Sequence, residues 1–309
     1  MTRFIVERLL PLALVIVIVP TLTFLLLRLA PGDPAQIILY ENGVPASETA
    51  IESLREELGL TGTLSSQYVE WVRQMVTGQW GTSFVSKQPV LEELMQRLPA
   101  TLELAVAGLV VMLLFTFTLG ITTAIWSNGW MDRIGRFFAL FGSSIPSFWL
   151  GFLLLYYFSV NYQWFPSMGR GTWKHLMLPA LTLGFGLGTV YARVLRSNVL
   201  EMMQQNFVKA QKARGFSTRK VVLSSVLKHA FLPIVTMVGT SFAFMLGGSI
   251  IVETIFSWPG LGRYIVESIK YRDYPVIQGY VLFVTVLFVT IHLIVDFIYV
   301  MLDPRLRVR

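Results

Sequence analysis

Long apolar runs separated by polar segments dominate the pattern of the chain. Six runs stand out: 9–28, 101–126, 138–160, 177–195, 231–252 and 277–301. A helix needs about 20 apolar residues to cross a hydrocarbon core about 30 Å thick, and each run is of that order. Apolar positions within them are broad and do not alternate, so the pattern predicts helices and not the strands of a β-barrel. The expected fold is therefore an all-α integral membrane protein with six transmembrane helices. The first run, Leu9 to Leu27, is longer than the roughly 7–15 apolar residues of a signal peptide, and no A-x-A site follows it. It is read as a span. The expected division is an N-terminal transmembrane helix (1–30), a helical segment (31–98), a five-helix core (99–303) containing a polar loop (197–229), and a tail (304–309).

The segment 31–98 carries its own helical periodicity. In "TAIESLREELGL", Thr49 with Glu52 three residues on forms a capping-box pattern, Ile51, Leu54 and Leu58 follow at helical spacing, and Gly59 suits a C-terminal stop. "SQYVEWVRQMVTG" and "PVLEELMQRLP" read as two further short amphipathic helices, the second opening on Pro89. Of the other polar loops, Ile255–Pro275 contains "SWPGLGRY" and "YRDYPVIQ", and its Trp, Tyr, Gly and Pro content predicts a short interfacial helix.

Composition and charge orient this frame. Only 14% of the 309 residues are charged and mean hydropathy is +0.62, against about 25% charged in soluble proteins. With the N-terminus inside, 15 of the 25 Lys and Arg residues fall in the cytoplasmic segments. The positive-inside rule then places both termini in the cytoplasm, the 31–98 segment outside and the 197–229 loop inside. The net charge of +7 thus reads as topology and not as a nucleic-acid signal. The outer segment holds nine acids; an acidic mouth concentrates cationic cargo, and the plainer reading is a solvated exterior that meets a partner.

Enzyme chemistry finds little support. The chain has no cysteine, no G-x-x-x-x-G-K-[ST] phosphate loop, no G-x-S-x-G and no H-E-x-x-H, and its three histidines are far apart. No catalytic residue and no metal ligand is predicted. Gly184 and Gly188 form a small-xxx-small pair suited to helix packing. Ionisable groups within spans default to functional hypotheses. Glu103 and Glu253 lie near the outer ends of spans two and five, within reach of water. His292 and Asp296 share one face of span six, as a cargo or proton site or as a structural i,i+4 pair.

One loop is unusual. "NFVKAQKARGFSTRKVVLSSVLKHAFLPIV", Asn206 to Val235, has six cations and no acid. Anionic-lipid attraction accounts for its charge, but not for Ala210, Ala213 and Gly215, nor for the following Leu232-Pro233. This pattern resembles the EAA loop of ATP-binding-cassette importer permeases. The glutamate of that motif falls at Lys209, its second alanine at Gln211, and the spacing to Leu232-Pro233 is longer. Those departures match the peptide/nickel branch of the family. "RLAPGDPA", "YARVLRSNVLE", "GGSIIVETIFSWPGLGRY", "RDYPVIQG" and "LDPRLR" stand where that branch has them, nearly end to end.

The resemblance implies a type I importer permease in a bacterial or archaeal cytoplasmic membrane. Its expected partners are a second permease, a paralogue, two cytoplasmic ATPase subunits, an extracytoplasmic solute-binding protein and membrane lipid. ATP and Mg would bind the partners and no cofactor this chain. The ATPase-coupling segment would be Phe207, Val208, Lys209, Ala210, Lys212, Ala213, Arg214 and Gly215. The small and polar residues Thr240, Ser241, Gly247, Gly248 and Ser249 of span five are candidates for the translocation path. The favoured cargo is a small peptide of dipeptide, oligopeptide or glutathione type, with nickel or a metal chelate as the alternative. A channel or secondary transporter without an ATPase is the remaining class; it predicts repeat symmetry and charge relays, which the sequence lacks.

Overall fold

The computed structural model describes residues 2–41 and 47–302. All of its regular elements there are helical: α1 (Thr2–Leu29), α2 (Pro34–Glu41), α3 (Glu48–Glu57), α4 (Leu64–Val76), α5 (Val90–Ile125), α6 (Trp130–Ser144), α7 (Ser147–Leu154, continued as a π-helical turn to Asn161), α8 (Trp173–Met202), α9 (Asn206–Ala213), α10 (Thr218–Val221, widening through a π-helical turn), α11 (Leu227–Ala230), α12 (Leu232–Gly248), α13 (Ile250–Ile255), α14 (Leu261–Lys270) and α15 (Tyr274–Leu302). The chain divides into two compact units, one of Met1–Pro99 with Gly260–Val289, the other of Ala100–Pro259 with Thr290–Arg309. The expected 304–309 tail lies outside the described residues.

Among the described residues four helices are long and apolar enough to cross a membrane, and a fifth span results if a bent pair is counted as one. That pair corrects the expected straight run at 138–160. Pro146 pushes the preceding Ile145 into extended backbone (φ −81°, ψ 125°), so α6 ends there and α7 leaves at 106°. The expected fifth run is carried by α12, 17 residues long, at the short end of the range that crosses a bilayer.

Two further boundaries differ from expectation. α3 is capped by Ser47, whose side chain accepts from the Ala50 amide, and not by Thr49, while Glu52 pairs with Arg55 at 3.1 Å. "PVLEELMQRLP" is no separate helix: α5 runs for 36 residues straight through Pro99. Proline deletes one ladder bond, and the burial of Leu94, Ala100, Leu104 and Ala105 on either side outweighs that loss. The stop at Gly59 (φ +66°), a helix over Leu64–Val76 and the short helix α14 all match expectation.

In the second unit the small-residue pair of α8 explains the packing. A Cβ on Gly184 would lie 2.3 Å from the Gly108 oxygen, and one on Gly188 2.8 Å from the Met112 oxygen. Only glycine lets α5 and α8 approach this closely. Thr116 exploits the contact by donating across it to the Gly188 oxygen at 3.3 Å.

Candidate functional site

The basic loop folds into a hairpin of short helices. Gln205 precedes α9 in extended backbone, Arg214 closes it, and Gly215 turns the chain at φ +86°. That is left-handed backbone, where a Cβ is disfavoured, although no other described residue lies within 4 Å of where one would stand. Ser217 then accepts from the Lys220 amide and starts α10.

Apolar spacing sets which side faces inward. Val208 of α9 is fully buried, as are Val222, Val226 and Ala230, which recur every fourth residue along the return arm. They pack with Leu195 and Val199 of α8, with Ile234 and with Ala124. Phe207 packs against the same cluster, its ring 5.6 Å from that of His229. Gln211 clips the two arms by donating to the Ser225 hydroxyl at 2.9 Å.

The predicted coupling residues therefore separate cleanly. Val208 and Phe207 anchor, whereas Lys209, Ala210, Lys212, Ala213, Arg214 and Gly215 are all exposed. Among the described residues none of the hairpin's cations is ion-paired with an acid; Arg214 and Lys220 instead lie 5.8 and 4.7 Å from the Phe216 ring centre. The hairpin presents a positive, small-residue face on an apolar mount.

A strut that sequence reading missed stands on the same α8. Asp132 at the start of α6 is fully buried and accepts from Arg196 at 3.0 and 3.1 Å and from the Asn128 amide at 3.1 Å, with Arg136 at 3.5 Å. Arg196 counts in the sequence only as one more inside cation. Its signal was the lone acid in "NGWMDRIGR", which needs a partner wherever it is buried.

The path candidates of span five scatter. Thr240 is exposed, Gly247 is half-buried and Gly248 closes α12. Ser241 is buried against the Tyr191 hydroxyl. Ser249 is buried and donates to Glu253 Oε1 at 2.7 Å. Glu253 does not reach water as expected. It is 0% exposed and also accepts from Thr101 at 2.9 Å. Beside it Trp258, equally buried, donates its indole N–H to the Ala100 oxygen at 2.7 Å. Glu103 does remain half-exposed, paired with Arg170 at 2.6 Å. His292 is half-buried on α15, and the side chain of Asp296 lies outside the described residues.

In the first unit the "GLGRY" and "RDYP" motifs meet residues 83–97. Glu93 accepts from the Tyr264 and Ser86 hydroxyls and pairs with Arg97 at 3.2 Å, while Arg97 stacks 4.0 Å over the Tyr264 ring. Burial, with the Glu93 carboxylate second, pushes the Tyr264 phenol well above its ordinary range. Asp273 is 1% exposed and accepts from Ser83; burial pushes its carboxyl above the usual carboxylate value despite the bonds it receives.

Long apolar helices thus carry a basic hairpin on an apolar mount. Residues 116–308 match the family described as binding-protein-dependent transport system inner membrane component, and residues 1–105 match its N-terminal counterpart. Glutathione transport system permease protein GsiC of Salmonella choleraesuis (strain SC-B67) is 41% identical over 307 residues, 99% of each chain. Its namesakes in Pectobacterium atrosepticum and Escherichia coli (strain K12) are 42% and 40% identical over the same share. Among solved structures, a chain of the inward-facing MetNI methionine ABC transporter superposes with a TM-score of 0.59 at 18% identity, covering 70% of this chain and 98% of that one. A chain of an amino acid ABC transporter solved with histidines gives 0.55 at 16% identity, covering 68% and 94%. The protein belongs to the binding-protein-dependent transport inner-membrane component family. It is a multi-pass inner-membrane permease subunit of a bacterial ABC importer of the peptide type.

Proposed function

We propose that this subunit forms half of a translocation pore for small peptides of the glutathione class. The observation that carries the reading is the 41% identity across 99% of both chains with a permease named for glutathione transport. In this reading a second permease, a paralogue, completes the pore, a solute-binding protein delivers cargo, and two ATPase subunits bind and hydrolyse ATP with Mg. This chain binds no cofactor. The chain crosses the membrane six times with both termini inside; the bent α6–α7 pair and α12 supply the two spans beyond the four long helices. Residues 31–98 then face outside.

The exposed face from Lys209 to Gly215 docks on one ATPase. Its exposure, its unpaired positive charge and the rigid seating of Val208 support this role. ATP-driven closure of the ATPases moves the hairpin as a body, and α8, which shares its core, passes the displacement to the spans. Along α12 the path runs past the exposed Thr240 and the half-buried Gly247, with Gly248 at the helix end, while Ser241 and Ser249, sealed against Tyr191 and Glu253, back its wall. The exposed aromatic ridge of Phe137 and Phe141 on α6 faces lipid.

The deciding experiment is ATP-dependent uptake by inverted-topology-controlled membrane vesicles containing the whole complex, with and without this chain. Radiolabelled glutathione, a dipeptide and Ni²⁺ are compared. Uptake of glutathione or dipeptide that requires this chain is expected. Chain-dependent uptake of Ni²⁺ alone moves the cargo to the metal alternative, and uptake that persists without ATP ends the importer reading.

A further inference from the structure

The Asp132 strut gathers more positive charge than it uses. Arg196 alone takes both carboxylate oxygens, at 3.0 and 3.1 Å. Arg136 Nη2 also reaches Asp132 Oδ2, at 3.5 Å, so two guanidiniums converge on one oxygen. Arg193, three residues before Arg196 on α8, lines the same notch between α6 and α8, whose apolar wall is Leu119, Ala139 and Ala192. Among the described residues no acid pairs with Arg193. Asp132 cancels one of the three cations and two remain. Both spare groups are reachable: Arg193 is exposed, and the Arg136 side chain is 56% exposed.

Depth identifies the missing counter-charge. Trp173, 66% exposed, opens α8. The 20 residues from there to Arg193 rise about 30 Å along a helix, the thickness of a hydrocarbon core. With Trp173 at one membrane face, the notch lies at the other. Trp126 and Trp130, 47% and 67% exposed, stand at this same end, and indoles favour the interface. Leu140, one turn beyond Arg136 on the same side of α6 and 62% exposed, offers an apolar track toward the bilayer midplane. The positive-inside rule accounts for cations at this end, but not for their convergence beside an apolar wall. A free anion or a partner's carboxylate would leave that wall and Leu140 uncovered, whereas a phospholipid covers them. A zwitterionic headgroup brings its own ammonium, which the spare arginines repel.

We propose that this notch binds the phosphate of an anionic phospholipid, its oxygens taken by Arg136 and Arg193 and an acyl chain laid over Leu140. Phosphate oxygens match guanidinium edges, and basic pockets between spans suit such headgroups. Placing the lipid in the inner leaflet rests on the topology proposed above; the binding itself does not.

The test is native mass spectrometry of the full chain released from detergent micelles, titrated with phosphatidylglycerol or with phosphatidylcholine of the same acyl chains. One phosphatidylglycerol is expected to be held about tenfold more tightly than phosphatidylcholine. Arg136→Gln and Arg193→Gln should each weaken it about fivefold. Arg193 lies outside the strut's ion pairs, so its variant carries the test if Arg136→Gln fails to fold. The double variant Arg219→Gln with Lys220→Gln, which removes two hairpin cations, should leave retention unchanged. Equal retention of the two lipids, unchanged retention in Arg193→Gln, or an equal loss in the hairpin variant overturns the site and leaves diffuse attraction. Displacement of the lipid by millimolar inorganic phosphate also overturns it, since the apolar wall would then contribute nothing. Because this readout needs no transport, its failure is distinct from failure of the uptake experiment.

Discussion

The basic hairpin and the Glu253–Trp258 knot treat polar groups in opposite ways. In the hairpin, Val208, Val222 and Val226 are sealed inside while the cations face out. In the knot, Glu253, Ser249, Thr101 and the Trp258 indole are sealed inside together and satisfy one another or the backbone. A surface made of unpaired charge and small residues is available to a partner and contributes little to stability. A buried polar knot is the reverse, since each member depends on another member or on the backbone for its hydrogen bond.

Mutations should expose that contrast. Trp258→Ala removes a fully buried ring and its bond to Ala100, and should destabilise by about 3–5 kcal/mol in denaturant unfolding of the detergent-solubilised chain. Glu253→Leu strips the acceptor from Thr101 and Ser249 and should cost about 1–3 kcal/mol. Glu253→Gln, which retains a carbonyl oxygen, should lose less; equal losses would show that charge and not acceptance holds the knot.

On the hairpin, Gly215→Ala meets no neighbouring atom but must adopt φ +86°, so its stability loss should be about 1 kcal/mol. ATP-driven uptake should fall further than that loss explains. If uptake and stability fall in step, the turn is only structural.

The smallest effect is a slope. Burial raises the Asp273 carboxyl above its unfolded value, so the folded state holds this proton more tightly than the unfolded chain. Its contribution is complete below the unfolded value and is lost as pH rises through the folded one. Asp273→Asn should flatten that segment of the stability–pH curve; an unchanged slope would show that another group titrates there.

Motif, periodicity and charge made much of this molecule legible. The apolar runs announced α1, α5, α8 and α15, and the glycine pair at 184 and 188 announced a helix contact. Less visible were the break at Pro146, the persistence of α5 through Pro99 and the burial of Asp132 and Glu253. A proline in an apolar run stops one helix and not the other, because what decides is packing on both sides and not the residue itself.

What the sequence determined by itself is what local chemistry controls: which stretches are helical and lipid-compatible, where left-handed glycines turn the chain, and which short segment is too positive to be anything but solvent-facing. Only the tertiary structure decided which acids are buried, that Arg196 of α8 reaches Asp132, and that the Trp258 indole reaches the Ala100 oxygen. Those pairings join residues 64 and 158 positions apart in sequence. Their energies depend on burial and geometry, which no local pattern encodes.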